Sequence, residues 1–388
     1  TILRRPMCRK TMRLPHRPNT QLPLLPLPPH RRKANPKPIV RLPHNRPSER
    51  KNVTRFQTEP ALPHDRQPQT AVLLINLGTP SAPTAEAVRP FLRDFLSDRR
   101  VVELKPALWQ PILRGAILPF RAKSSAANYK KIWLKEGSPL YIYSRRQADA
   151  LAQRLPGVLV RPAMTYGLPG VADTMAELKA QGVTRILAVP LYPQYASSSS
   201  GAALDQVFRA MLRQRNQVGL RTVRSFYNHP AYIEALRQQV SAYWQQYGRG
   251  GHLMMSFHGI PQAHHDAGDP YPDECGETAR LLAAALGLDK QEYTVSFQSR
   301  FGRGRWLEPS TQDLFISLPR NGTDRLDVIC PAFVSDCLET MEEIAIAGRE
   351  TFHAAGGREF RYIPCLNDNP AWIDALETLV REEAAGWL

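Results

Sequence analysis

The chain has 388 residues and a formal charge of +16, long enough for two hydrophobic cores and basic enough to raise a nucleic-acid reading. The charge is badly uneven, however: residues 1–70 hold 16 Lys and Arg against 3 Asp and Glu, and residues 71–388 hold 35 against 32, so the body of the chain gives no reason to expect nucleic acid as a partner. No run of about 18 apolar residues is present to form a spanning helix. The five cysteines, odd in number and without a C-x-x-C pair, suit reduced thiols in a cytosol-like compartment.

Residues 1–69 read as a disordered Pro- and Arg-rich tail. Runs such as LPLLPLPPHRRK cannot sustain a helix or an interior strand. Such a tail can bind an anionic surface or act as a targeting segment, but Pro at this density opposes a transit helix. The blander reading is an upstream extension outside the working protein, and a chain starting near Thr70 is then expected to keep its activity.

From residue 71 onward, short apolar runs alternate with segments of helical period, the pattern of a parallel α/β protein. Strands are predicted at 71–78, 158–167, 185–193, 221–228, 252–259, 293–299, 325–334 and 360–366. Helices are predicted near 84–97, 144–154, 169–181, 201–215, 230–247, 272–287, 308–318, 336–354 and 370–384. The apolar stretch 107–120 is interrupted by Pro111 and Pro119, and reads as a pocket mouth, a membrane-surface contact or core. Eight strands divide into two Rossmann-like domains, 70–229 and 230–388, each a four-stranded parallel sheet flanked by helices, with the last helix able to pack back on the first domain. Ligands of such sheets sit at the carboxyl ends of the strands, here in a cleft between the domains. Neither G-x-G-x-x-G after the first strand nor G-x-x-x-x-G-K-[ST] occurs, so no dinucleotide or triphosphate cradle is expected.

Polar and aromatic residues do follow the strands. His258 ends an apolar run and is held by a turn containing Gly259 and Pro261; it is either a satisfied polar residue or a base and metal ligand. Asp336, Glu339 and Glu343 fall at i, i+3, i+7, one face of an α-helix, with Glu350 near the same stripe and no Lys or Arg before Arg349. This is a solvated acidic face or a row of carboxylates that passes protons or a divalent cation.

The segments LINLGTP (74–80), EGSPL (136–140), LYPQYASSSSG (191–201), SFHGIP (256–261), GDPYPDEC (268–275), FQSRFGRGRWLEP (297–309) and PAFVSDCLETMEEI (331–344) resemble, in order, the motifs of the ferrochelatases. These lyases insert Fe(II) into a porphyrin in the terminal step of haem biosynthesis. The resemblance implies that His258 and Glu339 are the catalytic pair and handle the metal, with Asp336 and Glu343 as a proton or metal path. It further implies porphyrin contacts from Leu77, Arg121, Tyr129, Ser138, Tyr192, Trp306 and Phe333, with Arg121 and Ser138 as partners for propionates. For Tyr192, Tyr195, Trp306 and Phe333 the competing reading is core packing. Cys337 stands where many relatives have histidine, and Leu77 where some have Tyr or Met.

Porphyrin and Fe(II) are the implied substrates, with no resident cofactor. The wide spacing of Cys275, Cys330, Cys337 and Cys365 argues against a [2Fe-2S] cluster. A cytoplasmic protein with peripheral contact at the inner membrane is expected, and monomer and homodimer stay open. Competing functions are a chelatase for another metal or tetrapyrrole, a non-catalytic tetrapyrrole carrier, and a nucleic-acid binder acting through the tail.

Overall fold

A computed structural model describes residues 56–60, 67–302 and 304–388. Most of the basic tail lies outside the described residues. In the body a strand forms near each of the eight predicted places, in two parallel sheets, although those expected at 221–228, 325–334 and 360–366 end at Thr222, Ile329 and Tyr362. The first contains β1 (Gln69–Asn76), β2 (Leu159–Met164), β3 (Val183–Pro190) and β4 (Gly219–Thr222) in the order β2-β1-β3-β4. The second contains β5 (His252–His258), β6 (Tyr293–Gln298), β7 (Arg325–Ile329) and β8 (Glu359–Tyr362) in the equivalent order β6-β5-β7-β8. Central strand β1 carries an unbroken apolar run, and β5 one interrupted only by the hydrogen-bonded Ser256, because both faces are covered; Ala71 to Ile75 are fully buried. Parallel pairing sets Asn76 beside Met164 and His258 beside Gln298, so the carboxyl ends within each sheet share a rim.

The connecting helices are α1 (Ala85–Ser97), α2 (Pro106–Ile112), α3 (Leu118–Ile132), α4 (Pro139–Arg154), α5 (Val171–Ala180), α6 (Ala202–Met211) and α7 (Pro230–Tyr247), then α8 (Gln262–Asp266), α9 (Tyr271–Ala285), α10 (Thr311–Arg320), α11 (Arg349–Ala354) and α12 (Pro370–Glu383). One continuous core joins Val72 and Leu74 of β1 to Met255 and Phe257 of β5 through α12, whose Trp372 stacks on Phe226 and meets Tyr232 edge-on. Helix α12 lies against both α7 and α4. Gln147 of α4, fully buried, adds a polar tie: its amide donates to the Val334 carbonyl (3.3 Å), Ser335 Oγ (3.0 Å) and the Asn367 carbonyl (2.7 Å).

Three local expectations fail for physical reasons. The stretch with Pro111 and Pro119 is helical almost throughout, as α2, a π-turn at Leu113–Ile117 and α3. Pro119 falls in the first turn of α3, where a missing N–H costs no hydrogen bond. The helix expected from residue 336 begins later and is a π-helix over Glu339–Gly348 before α11.

The third failure concerns the predicted tail, since residues 56–60 dock on the body. The Gln57 N–H donates to the Arg213 carbonyl at 2.9 Å. Glu59 accepts from the N–H groups of Arg215 (2.7 Å) and Asn216 (3.0 Å) and pairs with Lys179, which is only 8% exposed. A chain cut at Thr70 leaves that ammonium with the Asn216 carbonyl and no carboxylate. We expect it to fold and turn over but to be less stable by about 1.5–3 kcal/mol, the order of a lost hydrogen-bonded contact to a charged group. Calorimetry checks this, and an unchanged Tm would show that Glu59 adds nothing.

Candidate active site

The turn after β1 forms one wall of a cavity. Gly78 has φ +104°, and a Cβ there would lie 1.7 Å from the Tyr166 carbonyl, so only glycine lets this turn lie flush on the end of β2. Leu77 and Thr79 on either side line the cavity, facing Arg121, Ser125 and Tyr129 of α3, Ser138 before α4, and Cys337, Leu338 and Glu339 at the start of the π-helix. Of the residues predicted to hold porphyrin, Leu77, Arg121, Tyr129 and Ser138 therefore share one cavity with Glu339.

The electrostatics of this cavity are unusual. Arg121 is half-buried and its Nη1 is buried without an acceptor among the described residues. Burial pulls its guanidinium pKa down, while the charge of Glu339 opposes that shift. An unsatisfied buried cation calls for an anion that the protein does not itself supply. Ser138 caps α4, its Oγ accepting from the Tyr141 N–H at 3.4 Å, so the positive end of that helix also faces the cavity. Burial holds the Tyr129 phenol far above its ordinary pKa, with Glu339 adding to the shift, so Tyr129 stays neutral.

The residues at the end of β5 form a second group. His258 is half-buried, with its ring 6.4 Å from that of Phe333. Its Nδ1 lies 2.7 Å from the Gly259 carbonyl. A carbonyl can only accept, so Nδ1 carries the proton in the neutral ring and Nε2 keeps its lone pair for a proton or metal. Trp306 pairs with Pro261 and packs over Gly259, where a Cβ would lie 3.3 Å from its ring. His258, Phe333 and Trp306 thus cluster together, outside the set that lines the cavity.

Glu343 links the two groups, since its carboxylate interacts with both His258 and Glu339. Burial pushes the Glu343 pKa up, against the lowering effects of Ser299 and His258. Its oxygens accept from the Ser299 N–H (2.8 Å), Ser299 Oγ (2.6 Å) and Gln312 Nε2. In a π-helix, whose hydrogen bonds run i→i+5, residues four and five apart share a face, so Glu339 and Glu343 remain neighbours. Glu342 turns to the opposite side, where it pairs with Lys131 at 2.7 Å.

Asp336 is not part of that row. It precedes the π-helix, is 5% exposed, and has both oxygens engaged: Oδ1 by Thr340 Oγ1 (3.0 Å) and the Tyr362 hydroxyl, Oδ2 by Asn367 Nδ2 (2.6 Å). This carboxylate clamps the loop after β8, and the i, i+3, i+7 stripe is lost because it presumed an α-helix through residue 336. Glu350 also leaves the stripe and is exposed on α11. Tyr192 does not line the cavity; it packs against the core of the first sheet, with its buried hydroxyl near Thr165. Tyr195 packs under Arg224, whose Cζ is 4.2 Å from its ring centroid. Sequence reasoning missed Ser125 and Gln312, and it missed Phe301, over which Arg121 stacks with Cζ 4.3 Å from the ring centroid. Only the segment FQSRFGRGRWLEP carried a signal for Phe301.

Two four-stranded parallel sheets flanked by helices, with a cavity beside the carboxyl end of β1, define an α/β protein with two Rossmann-like sheets. The same fold occurs in SirB from Bacillus subtilis with Fe3+, at a TM-score of 0.51 and 12% identity, covering 82% of this chain and 97% of that one. The family model described as ferrochelatase matches residues 69–384. Ferrochelatase from Neisseria gonorrhoeae is 62% identical over 332 residues, 86% of this chain and 99% of that protein. Ferrochelatase from Azoarcus sp. is 54% identical over 339 residues, 87% and 93% of the two chains. The chain belongs to the ferrochelatase family.

Proposed function

We propose that this protein is a lyase that inserts Fe(II) into a porphyrin, with release of two pyrrole protons, as the terminal step of haem biosynthesis. The observation that carries the reading is one cavity in which Glu339 faces the half-buried guanidinium of Arg121, whose Nη1 has no acceptor among the described residues. That is a proton or metal group set beside a site for a carboxylate-bearing ligand. Apolar walls and anchored propionates can hold the macrocycle in a bent form that exposes its nitrogen lone pairs, using binding energy remote from the reacting atoms. His258 Nε2 takes a pyrrole proton as general base. Glu339, with Glu343 behind it, binds hydrated Fe(II) through hard oxygen ligands or carries the second proton away. Trp306 and Phe333 fix the histidine side of the site.

The two halves, 70–229 and 230–388, act as domains that share the site. Fe(II) is a substrate. The wide spacing of Cys275, Cys330, Cys337 and Cys365, with no close pair among them, is the reason to propose a chain without a [2Fe-2S] cluster. Among the described residues no helix is long and apolar enough to cross a membrane. Leu108, Ile112 and Phe120 stand 66%, 50% and 77% exposed, with Lys105, Arg114 and Lys123 nearby in sequence, a composition that favours peripheral contact with an anionic bilayer from the cytoplasmic side. Phe120→Asp should then weaken co-sedimentation with anionic vesicles and leave metallation in solution unchanged.

The deciding assay follows absorbance of the metallated product with Fe(II) or Zn(II) and either protoporphyrin or coproporphyrin. Porphyrin binding without metallation would turn the reading into that of a carrier. Arg121→Ala should raise KM for porphyrin about tenfold and change kcat less, because a charged anchor contributes chiefly uniform binding. The reverse split would place Arg121 in the transition state.

A further inference from the structure

The loop after β6 reaches across to α3, where it meets Arg121. Phe301 stays 42% exposed, and its ring lies under the Arg121 guanidinium at 4.3 Å. The root of this loop is held in place. Ser299 adopts φ +66°, a left-handed conformation unfavourable for a non-glycine residue, and both its N–H and its hydroxyl are bound by the Glu343 carboxylate. Gly302, at φ +77°, turns the chain just beyond Phe301.

We propose that Phe301 is a positioning residue for substrate binding, holding the Arg121 guanidinium with its planar edge open to a carboxylate of the porphyrin. A guanidinium has two chemically different surfaces. Its face is satisfied by the negative face of an aromatic ring, and its edge carries the N–H donors that engage a carboxylate in the same plane. Stacking on Phe301 uses the face and leaves the edge free, matching the buried Nη1 that has no acceptor among the described residues. It also removes rotamer freedom that a long Arg side chain would otherwise lose on binding. Glu343 thereby acts on both sides of the site, beside His258 and Glu339 on one, and through Ser299 on the loop that presents Phe301 on the other. The inference rests on the reading of Arg121 as a carboxylate anchor.

The test measures KM and kcat for porphyrin in the parent, Phe301→Ala, Phe301→Tyr, Arg121→Ala and the double variant Phe301→Ala/Arg121→Ala, with Tm as a control on folding. Phe301→Ala should raise KM roughly three- to tenfold with kcat nearly unchanged. Phe301→Tyr should restore it, because the ring face is kept. In the Arg121→Ala background, Phe301→Ala should add nothing. Multiplying losses in the double variant, or a Tyr variant no better than Ala, would overturn the positioning role while leaving the anchor intact. An unchanged KM in Arg121→Ala alone would remove the anchor itself, and the role of Phe301 with it.

Discussion

His258→Ala and Glu339→Gln should each nearly abolish metallation while leaving porphyrin binding within a few-fold of the parent. Nε2 of His258 is the free lone pair on its side of the site because the Gly259 carbonyl at 2.7 Å holds the proton on Nδ1. Removing a general base costs about 10²–10⁴-fold in rate. Glu339→Gln keeps the shape of the side chain but removes the negative charge that Arg121, Tyr129 and Glu343 all feel. Binding should persist because the apolar walls, Arg121 and the capped start of α4 are untouched. The two residues serve one exchange of metal for protons, so the double variant should be little slower than the worse single variant. Porphyrin fluorescence titration and Fe(II) insertion, run side by side, check both halves. If His258→Ala binds porphyrin normally and metallates it near the parental rate, His258 is a structural turn residue and the proposed mechanism is wrong.

Gly259→Ala should reduce kcat by roughly 10²-fold, the order associated with a displacement of about 1 Å at a reacting group. The added Cβ would lie 2.8 Å from the Gln298 carbonyl, which accepts the Gly259 N–H, and 3.3 Å from the Trp306 ring. A carbonyl held in the sheet and a packed indole cannot both give way, so the turn that carries His258 must move. Overpacking of this kind costs about 1–3 kcal/mol, so Tm should fall by a few degrees as well. The two effects separate on measurement: calorimetry reads the strain, and kcat at saturating porphyrin reads the misplaced imidazole. A destabilised variant with parental kcat would mean that the turn tolerates movement without loss of function.

Much of the architecture was legible in the sequence because strands buried on both faces must be continuously apolar. That requirement is local, and it marked interior strands such as β1 and β3, whereas the edge strand β4 (Gly219–Thr222) is half-exposed and shares only its last two residues with the predicted run. The ends of the strands were less legible, since the runs predicted at 221–228, 325–334 and 360–366 stop at Thr222, Ile329 and Tyr362, but the end of β5 at His258 was marked by the turn that follows it. The ordered motifs carried the ferrochelatase family and pointed to Glu339 and Arg121.

Other features depended on contacts distant in sequence. An α-helix was the natural reading over Glu339–Gly348, because π-helices are rare and local sequence does not signal the i→i+5 bonding that shifts the face. The separation of Asp336 from Glu339 and Glu343 therefore came only with the tertiary hydrogen bonds to Tyr362 and Asn367. Pro119 read as a breaker because its place in the first turn of α3 depends on where the preceding π-turn ends. Glu59 read as tail because its partners, Lys179 and the amides of Arg215 and Asn216, are more than a hundred residues away. Local patterns were enough for the presence of the strands and for the family. Which carboxylates share a face, what holds Arg121, and how far the body extends toward the N-terminus were decided by the tertiary structure, because each depends on a partner that no local pattern encodes.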